Sequence, residues 1–149
     1  FISRYVRWPD QQATDAVRDI NICSLGSDEL TKEIELLTKA STDKMHVNVL
    51  GDVPLGRVQG CQVLYIAKSE QRDIPAILAR IKNLPMLTFS SVETFADDGG
   101  MIALIRETQM QGAFERTFIR YEVNTGSVYS SRLYIDPDAL ELARKVIRS

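Results

Sequence analysis

Apolar and polar positions along this chain change period several times. Asp19 to Leu25 reads as a strand, broken by Gly26-Ser27. Asp28 stands where a helix cap belongs. Leu30, Ile34 and Leu37 follow at spacings of four and three, which is one face of a helix. Met45, Val47 and Val49 alternate with polar residues, as in a strand near a sheet edge. Gly51 to Gly60 reads as a loop. Cys61 to Ala67 is almost continuously apolar, which predicts a strand covered on both faces.

Asp73 to Ile81 predicts a second helix, with Ile74, Ile77, Leu78 and Ile81 facing inward, and Leu84 to Phe89 a short strand. Glu93 to Gly100 is a turn-rich loop. Met101 to Arg106 and Arg116 to Val123 predict two antiparallel strands joined by a loop that contains Gly112. A short helix is expected at Thr125 to Ser131, then an extended Leu133 to Ile135. Asp136-Pro137 supplies a cap and a first-turn proline for a closing helix that buries Leu140, Ala143 and Ile147 and ends in basic residues. Near the start, Ile2, Tyr5 and Val6 read as the tail of a helix that stops before Pro9, anchored to the core by Trp8.

This order predicts an α/β three-layer sandwich: a Rossmann-like, mostly parallel sheet with a C-terminal antiparallel hairpin and flanking helices. The natural strand order places the first strand between the second and third, so the Cys23 and Cys61 strands become neighbours. No linker or repeat divides the sequence, and residues 1–149 are expected to form a single domain.

Composition narrows the function classes. Of 149 residues 44% are apolar and the net charge is −2, enough for one core and too balanced for a typical nucleic-acid binder. No apolar run approaches the ~20 residues needed to cross a bilayer, so the chain is not expected to insert in a membrane. It begins at Phe1 rather than Met. That reads as an internal start, with a signal peptide and the beginning of the first helix expected upstream. Cys23 and Cys61 show no CxxC spacing, and the lone His46 is near neither. A zinc site is therefore not expected, and the residues alone leave a disulfide and two buried thiols equally open.

Motifs that carry chemistry are mostly missing. The sequence has no P-loop, HExxH, GxSxG or GxGxxG. His46 lies in a strand-like run beside no nucleophile and reads as an exposed strand residue. Asp97 and Asp98, before Gly99-Gly100, read as a solvated turn rather than a metal site. The Leu25 to Asp28 junction would suit an anion, except that Asp28 would repel it. Arg132, Arg144 and Lys145 are the candidate anion-binding residues, with Arg148 beside them and Arg4 and Arg7 near the start. The plainer reading of that run is a solvated helix face. No catalytic residue, cofactor or metal is expected.

Several stretches, in order, resemble the YfiR family. They are Arg4-Tyr5-Val6-Arg7-Trp8-Pro9, Ile22-Cys23-Ser24-Leu25-Gly26, Gly60-Cys61-Gln62-Val63-Leu64-Tyr65-Ile66 and Leu84-Pro85-Met86-Leu87-Thr88. Phe95-Ala96-Asp97-Asp98-Gly99-Gly100-Met101-Ile102 is the most specific, close to Phe-x-x-x-Gly-Gly-Met-Ile. Arg120-Tyr121-Glu122-Val123-Asn124 and Leu140-Glu141-Leu142-Ala143 complete the set.

The resemblance implies a periplasmic repressor without enzymatic activity. It would bind the sensory domain of an inner-membrane diguanylate cyclase and lower cyclic di-GMP and biofilm formation. A lipoprotein at the outer membrane that sequesters the repressor is the second implied partner, and a homodimer is left open. The resemblance also implies a Cys23–Cys61 disulfide. Some members hold the Gly-Gly-Met loop with a second disulfide, and this chain has no cysteine there. Some bind small ligands near the C-terminal segment, a pattern from which Arg132 to Arg148 departs.

The loop from Ser90 to Gly100, with the adjacent hairpin, is the expected partner surface, through Glu93, Phe95, Asp97 and Asp98. For Phe95 the alternative is a plug in the core beneath the loop. Gly99 and Gly100 are expected to let the backbone turn at positive φ. A periplasmic ligand-binding module that feeds a signalling protein is the rival reading. A hydrolase or transferase is a third.

Overall fold

The computed structural model describes residues 5–9, 18–35, 45–51 and 53–148. In chain order they form β1 (Val6–Arg7), β2 (Arg18–Leu25), α1 (Thr31–Glu35) and β3 (Met45–Leu50). A 3₁₀ turn (Leu55–Gly60), β4 (Val63–Ile66) and a second 3₁₀ turn (Lys68–Asp73) lead into α2 (Ile74–Ile81). Then come β5 (Leu87–Ser90), β6 (Ile102–Gln111), β7 (Phe114–Asn124), α3 (Thr125–Ser130), β8 (Tyr134–Ile135), α4 (Pro137–Leu142) and β9 (Lys145–Ile147).

The main sheet has seven strands in the order β3-β2-β4-β5-β6-β7-β9. Every neighbouring pair is parallel except the β6–β7 hairpin. β1 and β8 form a separate antiparallel pair. The three-layer α/β expectation holds, and β2 lies between β3 and β4 as the connection rules require.

The layers follow from strand alternation. On β4, Val63 and Tyr65 point into one cluster with Ile20, Ile22, Leu30, Ile34 and Val128. Leu64 and Ile66 point into the other, with Ile74, Ile77, Ile81 and Phe95. All four β4 side chains are fully buried, which is why this run reads as continuously apolar.

Cys23 and Cys61 form a disulfide with Cα atoms 6.0 Å apart. Closing a separation of 38 residues contributes about 4 kcal/mol in the chain-entropy picture.

Three expectations about local structure need correction. Val6–Arg7 is a short strand against Tyr134–Ile135 rather than the tail of a helix, although Trp8 is buried as foreseen. Ile2 and Leu37 lie outside the described residues. The hairpin strands run to Gln111 and from Phe114, so the loop between them shrinks to Gly112-Ala113, with Gly112 at φ +64°. The closing helix ends at Leu142, and Lys145–Ile147 pairs in parallel with Glu122–Asn124. Helical spacing fitted Ile147 by coincidence; backbone pairing with β7 won.

Candidate functional site

In an open α/β sheet, ligands sit where the chain leaves neighbouring strands in opposite directions, at their carboxyl ends. Here that place lies between β2 and β4. Gly26 turns the chain at φ +72°, with Ser69 and Glu70 so close that a Cβ would overlap them. The turn swings Asp28 into the crevice. Asp28 Oδ1 accepts from the Leu30 N–H at 2.9 Å, which caps the turn into α1. Its Oδ2 accepts from Tyr65 Oη at 2.6 Å, the Lys68 N–H at 2.8 Å and Ser91 Oγ at 2.9 Å.

The protein thus supplies its own anion to this site. Burial pushes the Asp28 carboxyl up, but the hydrogen bonds from Tyr65, Lys68, Leu30 and Ser91 outweigh it and leave it below its ordinary value. Burial and the facing carboxylate push the Tyr65 phenol well up, so it stays a donor.

The Ser90 to Gly100 loop packs against the same edge of the sandwich. Phe95 is fully buried and plugs the core between α2 and the sheet. The expectation of a partner contact at Phe95 is therefore corrected: its ring has no exposed surface to offer. The two glycines serve different ends. Gly99 has φ +105°, the left-handed region that favours glycine. Gly100 lies against the Phe95 ring, where any Cβ would collide.

Side chains from the end of β7 and from α3 fasten the loop. Asn124 Nδ2 donates to the Ala96 carbonyl at 2.9 Å, and Ser127 Oγ to the Gly99 carbonyl at 2.8 Å. What remains outside is an acidic rim of exposed Glu93, Asp97 and Asp98.

The basic residues do not gather into one pocket. Lys145, on β9, donates to Asp97 Oδ1 at 2.9 Å. Arg144 reaches Glu107 at 3.0 Å and the buried Glu122 at 3.9 Å. Arg132 donates to the Asn83 carbonyl at 3.3 Å, facing an open cleft of about 410 Å³ with Trp8, Gln62 and Pro85. A second cleft of about 300 Å³ lies between α2 and α3, lined by Lys82, Asp98 and Ser127 among others. The picture of Arg144 and Lys145 on a helix end is corrected by β9. Both already face carboxylates of the protein itself.

His46 is exposed, 3.7 Å from Asp19. Among the described residues no group of His, Cys, Asp and Glu is arranged to hold a metal. None of the helices there is long and apolar enough to cross a membrane.

Sequence reasoning missed the Tyr65–Ser91–Asp28 knot. Tyr65 sits in an apolar strand and reads as core, and nothing in the sequence places Asp28 against it from 37 residues away. Among curated proteins none matches the chain. A family model described as YfiR/HmsC-like matches residues 1–144, and the chain belongs to that family.

Proposed function

We propose that this protein is a periplasmic negative regulator that binds the sensory domain of an inner-membrane diguanylate cyclase, and so lowers cyclic di-GMP and biofilm formation. Membership of the YfiR/HmsC-like family over residues 1–144 carries the reading. That family is regulatory rather than catalytic. The Cys23–Cys61 disulfide supports an oxidising compartment. An outer-membrane lipoprotein that sequesters the regulator completes the proposed circuit.

The acidic rim of Glu93, Asp97 and Asp98 is the proposed contact surface, held by Phe95, Asn124 and Ser127 beneath it. Exposed charge on a fixed loop sets partner choice and association rate. Lys145 partly offsets the rim at Asp97. A second reading, a small-ligand module, is favoured by the open cleft of about 410 Å³ beside Trp8 and Arg132, whose size falls in the range of roughly 300–1,000 Å³ usual for ligand sites.

Deletion of the gene tests the first reading. Cyclic di-GMP and matrix production should rise in the deletion strain and fall again on complementation. No rise, with the cyclase expressed, refutes it. Complementation by an Asp97→Lys/Asp98→Lys chain should restore repression only partly. Full restoration would discard the rim while keeping the regulator.

A further inference from the structure

Beyond Ile105 and Tyr121 the β6–β7 hairpin leaves the sandwich as an arm. Arg106 and most residues of the arm out to Arg120 are exposed, including Met110 at 67%, Phe114 at 79% and Ile119 at 56%. β9 accompanies β7 only at Glu122–Asn124. From Phe114 to Arg120 the outer edge of β7 has no partner strand among the described residues.

The direction of its backbone groups is fixed by one bond. The Arg144 N–H donates to the Tyr121 carbonyl on that outer side. By alternation the N–H and C=O groups of Ile119, Thr117 and Glu115 also point outward. A row of this kind is a template for another strand.

We propose that the occupant is the same edge of a second copy, paired antiparallel about a two-fold axis at Thr117. The argument is self-complementarity. One face of β7 reads Phe114, Arg116, Phe118, Arg120. A two-fold at Thr117 sets Arg116 opposite Phe118 and Phe114 opposite Arg120, twice over. Every arginine then faces an aromatic ring. The outward groups of Thr117 meet their own copies, and those of Glu115 meet Ile119.

The neighbouring registers fail. Centring on Arg116 sets that arginine against itself, and centring on Phe118 sets Arg116 against Arg120. The preference is already expressed within one chain, where the Arg116 guanidinium lies 4.8 Å from the Phe118 ring centre. Such an interface is isologous and closes, so association stops at the dimer.

Sedimentation velocity on the purified chain, up to about 200 µM, should show a concentration-dependent monomer–dimer equilibrium. Thr117→Pro removes one outward N–H and no backbone bond to β6, only the exposed hydroxyl contact with Thr108 at 3.4 Å, and should abolish the dimer. Arg116→Glu leaves the backbone intact and should weaken the dimer roughly tenfold. Thr117→Cys should link into a covalent dimer with a short thiol cross-linker, while Ala113→Cys at the tip should not. A monomer at every concentration, or a dimer insensitive to both Thr117→Pro and Arg116→Glu, overturns the proposal. Equal cross-linking at positions 113 and 117 overturns the register. None of these results bears on cyclic di-GMP, so this inference and the regulatory reading fail separately.

Discussion

Phe95 and Phe114 lie in two regions of one molecule and do opposite things. Phe95 is 0% exposed and plugs the core between α2 and the sheet. Phe114 is 79% exposed near the tip of an arm that contributes nothing to either core. The same contrast holds for charge. Asp28, half-buried in the crevice between β2 and β4 where open α/β sheets usually keep a ligand, is taken up by donors from Tyr65, Ser91, Lys68 and Leu30. Asp98 and Glu93 stay outside. The molecule has filled the place where such folds bind small molecules and put apolar and charged groups on loops and an arm. That distribution suits a protein that acts by touching other proteins.

The contrast is open to attack by substitution. Phe95→Ala should cost about 4 kcal/mol, because it empties a fully buried ring site between α2 and the sheet. Chemical unfolding at neutral pH measures it. A cost near zero would mean the loop is not a plug, and Phe95 would return as a candidate contact.

Asp28→Ala should cost about 2 kcal/mol, since it strands donors that have lost their acceptor. It should also change the acid response. The Asp28 carboxyl is held below its ordinary value in the folded chain. Its contribution is therefore complete above the ordinary carboxylate value of about 3.9 and is lost as pH falls through the folded value. The stability gap between wild type and Asp28→Ala should narrow below about pH 4. A gap constant from neutral pH down to acid would remove the charged knot from the account.

Phe114→Ala should change monomer stability by no more than about 0.5 kcal/mol. A larger loss would show that the arm folds back on the body.

Much of the body was legible in sequence. β4 was visible as an apolar run because both its faces are covered, and α2 because Ile74, Ile77 and Ile81 share one face. The strand order followed from the alternation of strands and helices. The Phe-x-x-x-Gly-Gly-Met pattern marked a real device, although its two glycines act through different causes.

The arm was legible only at its base. Residues 107 to 115 bury little, so neither a period of two in hydrophobicity nor a core-facing stripe announces them. They are strands because they pair with each other. β9 was hidden for a related reason. A strand of three residues is too short to show a period, and its partner β7 lies more than twenty residues earlier. Asp28 looked like a helix cap and is one, but its other oxygen serves groups far along the chain that no local pattern connects.

The central claim is that the chain works through its acidic rim on a cyclase. The most direct test is a titration of the purified, oxidised chain against the purified periplasmic domain of the cyclase whose output rises on deletion. The account predicts saturable binding by the wild type, and binding at least roughly tenfold weaker by a folded Asp97→Lys/Asp98→Lys variant. No binding by the wild-type chain would contradict it.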